Sequence, residues 1–152
     1  MTPRSISKRV TLDRLVLIDN LLREIKSLPL HDHEIFLADR RNIWAAESCL
    51  RRTLESLFDL GRHILAKGFG TGVSEYKEIA SALQKEGILS TDEMGLLRVL
   101  AGYRNRLVHF YHEVSVEELY EICSSRLEDV EEIRDALQQW LKGHPEKIDS
   151  SL

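Results

Sequence analysis

The feature that most constrains this chain is a succession of helix-period apolar stripes, each closed by a stop signal, with no convincing strand-like alternation between them. The longest runs over ~34–66. There Ile35, Phe36, Ile43, Trp44, Leu50, Leu54, Leu57, Phe58, Ile64 and Leu65 recur at spacings close to 3.6 residues. Asp32 is placed to cap its start, and the glycine-broken run Lys67-Gly68-Phe69-Gly70-Thr71-Gly72 stops it. An earlier stripe over ~8–28 carries Leu12, Leu15, Val16, Ile18, Leu22 and Ile25 and ends at Pro29. A shorter helix is expected over ~75–86, capped by Ser74 and ended by Gly87. Ser90 with Glu93, and Ser115 with Glu118, have the spacing of capping boxes, and they open helices over ~91–110 and ~116–142. Val114 and Leu119 are placed as the staple of the second box, and Gly143 and Pro145 close it. Five helices with short joints predict an all-α antiparallel bundle around one core.

The length of 152 residues suits a single domain over 1–152, with a tail at 146–152 expected to fray. Hydrophobic residues at 43% and charged residues at 30% fit a soluble globular chain. No apolar run approaches the ~20 residues that span a bilayer, and Met1 to Val10 lack the apolar core of a signal peptide. A cytoplasmic location is expected, with no membrane partner. Cys49 and Cys123 lack zinc spacing and read as small buried hydrophobes. His31-Asp32-His33-Glu34 lies in a helix joint without a distant fourth ligand and reads as a capped turn, so no metal and no cofactor are expected. The glycines of 67–72 follow no strand, which argues against a phosphate-binding loop. Trp44 and Trp140 read as core or interface anchors.

A net charge of −4 excludes a chain that coats nucleic acid non-specifically. The charge is unevenly spread. No acid falls between Glu93 and Glu113, where Arg98, Arg104, Arg106, His109 and His112 stand, whereas the last helix is rich in Glu and Asp. Such a site can hold a local anion beside an acidic surface.

Within that basic stretch lies Tyr103-Arg104-Asn105-Arg106-Leu107-Val108-His109-Phe110-Tyr111, an Arg-x4-His-x-Tyr pattern. It resembles the active-site motif of HEPN domains, and its tyrosine is similar to that of the HepT toxins of HepT/MNT (minimal nucleotidyltransferase) pairs. The resemblance extends over roughly 8–135. It includes Arg41 to Glu47, Asp59 to Leu65, Tyr76 to Ile79 with Gly87-Ile88-Leu89, and Val114 to Val116 with Leu119-Tyr120. Phe110 stands where a small residue is common, and His112 adds an imidazole that the motif does not require.

The chemistry fits these residue types. Metal-free RNA cleavage activates a ribose 2′-OH against its neighbouring phosphate, and histidine as a type titrates near neutrality. Arginine offers a permanent charge and a donor fork that matches phosphate. His109 is assigned the acid–base role and Arg104 the phosphate clamp. Asn105 would orient a phosphate oxygen or the imidazole, and Arg106 would add charge or pair structurally. Five residues on a straight helix rotate by about 140° net, so Arg104 and His109 do not point alike. Either the helix ends or bends near His109, or two copies of the motif meet across a two-fold axis.

The resemblance implies the second arrangement, a homodimer with the motif at its interface. It also implies an endoribonuclease toxin of a type VII pair, with RNA as substrate. A cognate MntA-like nucleotidyltransferase would neutralise it by transferring AMP to Tyr111. Asp59 stands where the family often carries a polar residue facing the cleft. The alternative is a non-catalytic HEPN module that pairs with a nucleotidyltransferase. Taken residue by residue, the structural alternatives are an ion pair of Arg104 with an acid of the last helix and a His109 hydrogen-bonded at a helix end.

Overall fold

A computed structural model describes residues 6–109 and 114–151. Among them are seven α-helices: α1 Lys8–Lys26, α2 His33–Ala38, α3 Arg40–Phe69, α4 Tyr76–Lys85, α5 Thr91–His109, α6 Val116–Ser125 and α7 Leu127–Gly143. The all-α class is as read, but two of the five expected helices are each broken in two. The first break is at Asp39, whose backbone is extended (φ −123°, ψ 114°) and whose carboxylate accepts from the Arg41 amide at 2.9 Å. Aspartate competes with the helix for backbone donors, and here it caps α3 instead of continuing α2. The second break is at Arg126. Just before it, the Ser124 and Ser125 hydroxyls donate back to the carbonyls of Tyr120 (2.7 Å) and Glu121 (2.6 Å), a habit that bends helices.

Other ends follow the local signals. Asp32 accepts from the Ile35 amide, and Gly70 closes α3 in the left-handed region at φ 66°. Ser90 and Glu93 bond reciprocally as a full capping box. At α6 only half of the second box forms: Ser115 accepts from the Glu118 amide, while the Glu118 carboxylate turns to Arg106. The cap position of α4 is Glu75, with no side-chain cap, rather than Ser74.

The core lies between α1, α3, α5 and α7. Ile18 and Ile25, Leu50, Leu54, Leu57 and Phe58, Leu97 and Leu100, and Ile133 and Leu137 are buried there. Leu12, Val16, Ile35 and Trp44 sit outside it, although the stripes included them. Leu12 and Val16 each follow a buried position, Thr11 and Leu15, by about 100° of rotation. Trp44 is 64% exposed and anchors no core within the protomer, whereas Trp140 is half-buried, stacked on His144 (4.3 Å) and close to Phe69 (5.7 Å). Cys123 is buried and Cys49 partly so, and both are free thiols as read. No described helix is long and apolar enough to cross a membrane.

Residues 146–149 do not fray as expected. Pro145–Lys147 form a 3-10 turn, and Ile148–Asp149 pair in parallel with Ile6–Ser7, a bridge too short to show alternation in sequence. The buried Ile6 side chain packs close to Gly68 of α3, which ties both chain ends to the long helix. The Ser7 amide donates to Nε2 of His63 at 3.0 Å, so that nitrogen must carry no proton. Burial, then Lys67 and Arg14, hold the His63 pKa below its ordinary value. A histidine lowered on folding contributes stability above its unfolded pKa of about 6.5 and loses it as pH falls through that value. We therefore expect the urea midpoint to drop between about pH 7.5 and about pH 5, and to drop less in His63→Gln. An equal drop in both proteins would exclude His63 as the source.

Candidate active site

Helix α5 buries Leu97, Leu100, Ala101 and Leu107. Arg104 falls in the phase of that stripe, three residues after Ala101 and three before Leu107, so it points inward although it is charged. Its side chain is 17% exposed. Inside, it meets a carboxylate on α3: Arg104 Nη2 donates to Glu55 Oε2 at 3.1 Å, while Arg51 holds Glu55 Oε1 at 3.2 Å. The Arg104 guanidinium carbon lies 4.3 Å from the centre of the Tyr76 ring, which is itself stacked on buried Phe58 (4.7 Å, 13°). Asn105 Oδ1 approaches Arg104 Nη1 at 3.5 Å.

Next to this pair opens a cleft of about 420 Å³. Ser74, Glu75, Tyr76 and Lys77 line it from the start of α4, and Arg104, Asn105 and His109 from α5. His109 is exposed and is the last residue of α5. A single protomer thus brings Arg104, Asn105 and His109 to one cleft. The cleft is wide enough to be reached by side chains that leave the helix at different angles.

The other predicted residues are placed differently. Arg106 turns away from the cleft to an ion pair with Glu118 of α6, and it lies 5.9 Å from the Tyr103 ring. Asp59 does not line the cleft; it binds Arg62 at 3.0 Å. Arg62 in turn donates to the carbonyls of Val73 (3.3 Å) and Ser74 (3.2 Å), fixing the loop that delivers Tyr76. Asp59 therefore reaches the site only through that loop. Tyr111, Phe110 and His112 lie outside the described residues. Glu55 escaped the sequence reading, and Tyr76 and Lys77 entered it only through the family resemblance, not as site residues. Glu55 stands 49 residues from Arg104, too far along the chain for spacing to pair them. The one available signal was an arginine in the phase of an apolar stripe, which demands a buried partner.

Among the described residues no group of three His, Cys, Asp or Glu could hold a metal ion. Asp32 of the 31–34 cluster caps α2, and the His33 ring meets Tyr120 edge-on at 4.9 Å.

The helical bundle, with an arginine and a histidine of one helix at a shared cleft, has the fold of solved HEPN-class proteins and other similar structures. One is a toxin–antitoxin complex with AMP-PNP (18% identity, 84% of this chain and 97% of that chain, TM-score 0.75). Another is a tri-AMPylated HEPN toxin of Shewanella oneidensis in complex with an MNT antitoxin (19%, 86% and 97%, TM-score 0.76). A third is YutE, a cytosolic protein of unknown function from Bacillus subtilis (20%, 88% and 90%, TM-score 0.72). The family model described as ribonuclease HepT-like matches residues 18–137, and the chain belongs to the HepT-like family. The family resemblance read from the Tyr103–Tyr111 motif is therefore correct. No curated protein matches the chain in sequence.

Proposed function

We propose that the protein is a cytoplasmic, metal-independent endoribonuclease toxin that acts as a homodimer and is silenced when a partner nucleotidyltransferase of the MntA kind transfers AMP to Tyr111. The observation that carries this reading is the meeting of Arg104 and His109 at one cleft, with the guanidinium already oriented. In the reaction, His109 takes the proton of a ribose 2′-OH. The 2′ oxygen attacks the adjacent phosphorus, the bond to the 5′ oxygen breaks, and that oxygen leaves with a proton taken from solvent water. The products are a 2′,3′-cyclic phosphate and a 5′-hydroxyl. Arg104 binds the phosphoryl oxygens as charge builds on them, and Asn105 steadies the guanidinium from its Nη1 side. The ion pair to Glu118 gives Arg106 a structural part. An AMP group two residues from His109 would add bulk and negative charge that competes for Arg104. The AMP-bearing Shewanella oneidensis toxin, bound to its antitoxin, supports this regulation.

One observation favours the non-catalytic module instead. Arg104 already has a carboxylate partner, though the acid belongs to α3 rather than to the last helix. Cleavage of RNA in EDTA by protein shown by mass to carry no AMP separates the two. The expected result is cleavage that leaves 2′,3′-cyclic phosphate ends. Intact RNA of several classes after incubation with folded protein would establish the module, and cleavage abolished by the chelator would refute the metal-free mechanism.

A further inference from the structure

We infer that Tyr76 is a positioning residue for Arg104: its ring, backed by Phe58, sets the plane of the guanidinium, and phosphate recognition in the cleft depends on that platform. This rests on the ribonuclease reading above.

Polar contacts alone do not fix Arg104. A guanidinium has five N–H donors. Among the described residues the Nε donor is buried without a partner, one Nη2 donor goes to Glu55 at 3.1 Å, and one Nη1 donor reaches Asn105 at the long distance of 3.5 Å. A single good hydrogen bond leaves the group free to swing about it. The stacking supplies the missing constraint: Phe58 is fully buried, Tyr76 lies nearly parallel to it at 4.7 Å, and the guanidinium carbon stands 4.3 Å from the Tyr76 ring centre. One donor then remains on each terminal nitrogen, the pair a phosphate can accept as a fork.

The ring is also committed to this task. Phe58, Arg104 and, at 5.5 Å, Arg62 crowd it, so it offers no free face to a nucleic-acid base. The loop before it is pinned by Arg62, itself held by Asp59. Asp59, Arg62, Tyr76 and Arg104 thus form a chain of contacts from the polar edge of α3 to the cleft.

The test measures single-turnover RNA cleavage, and binding of a fully 2′-O-methylated RNA that cannot be cut, for wild type, Tyr76→Phe and Tyr76→Leu. Each substitution is also made in an Arg104→Lys background. Tyr76→Phe keeps the ring and should cleave within about threefold of wild type, whereas Tyr76→Leu should lose ~10–100-fold, the scale of a small misplacement of a catalytic group. In the Arg104→Lys background, Tyr76→Leu should change the rate by less than about threefold, because the group it positions is gone. A merely structural tyrosine would cost the same factor in both backgrounds, and that result would overturn the inference. So would wild-type-like cleavage by folded Tyr76→Leu. If that variant does not fold, the ring-current shift of the Arg104 methylene protons in the wild type decides: its absence would overturn the inference. A wild type that neither cuts nor binds RNA would sink the ribonuclease reading and this inference with it. Normal wild-type cleavage that is indifferent to Tyr76 would sink this inference alone.

Discussion

His109→Ala should lower the rate of RNA cleavage by ~10²–10⁴-fold, the range over which a positioned acid–base group contributes. The fold should survive. His109 is exposed at the last position of α5, and the helix is held by Leu97, Leu100, Ala101 and Leu107, none of which the substitution touches. Single-turnover kinetics beside a thermal unfolding curve separate the two effects. A variant with an unchanged midpoint and a rate within about threefold of wild type would remove His109 from the mechanism. The same variant should relieve growth arrest when expressed without an antitoxin, since toxicity and cleavage share one cause on this reading.

Arg104→Lys should cost about as much as Arg104→Ala, ~10²–10³-fold, the scale for removing one preorganised donor that serves the transition state. Charge alone does not explain the residue. A lysine would keep the positive charge and could still reach Glu55, but its ammonium is a point charge without the planar fork. It lacks both the broad planar group that stands over Tyr76 and the two parallel donors a phosphate accepts. Stability should suffer little in the lysine variant. In the alanine variant Glu55 loses its Arg104 partner but keeps Arg51 on its other oxygen at 3.2 Å, which limits the penalty of a stranded carboxylate. Cleavage by Arg104→Lys at nearly the wild-type rate would show that only charge matters, and it would also remove the need for the Tyr76 platform.

The two variants probe different parts of one arrangement. His109 stands at the exposed end of α5. Arg104 stands about 1.4 helical turns earlier, where Glu55 and Tyr76 constrain it. A group that must move protons benefits from access, and a group that must hold a phosphate benefits from fixed orientation.

Much of this was legible in the sequence where the cause is local. The Ser90–Glu93 box, the Asp32 cap and the stops at Gly70 and Gly87 depend on residues within a few positions of each other, so their spacing predicts the contact. The breaks at Asp39 and Arg126 were harder to see. Apolar periodicity runs through both, and what breaks the helix is a side chain that takes backbone partners for itself. The bridge between Ile6–Ser7 and Ile148–Asp149 joins the two ends of the chain and left no periodic trace.

By itself the sequence determined the all-α class and the family, because these rest on spacing and motifs local to each segment. Tertiary structure decided which neighbours complete the site. Arg104 finds Glu55 of α3 rather than an acid of the last helix, Arg106 turns to Glu118, and Tyr76 supplies the surface beneath the guanidinium. The physical reason is rotational. A helix fixes the angle between its own side chains, but which of them meets which residue of another helix depends on how the two pack, and that is set by the whole core rather than by any segment of it.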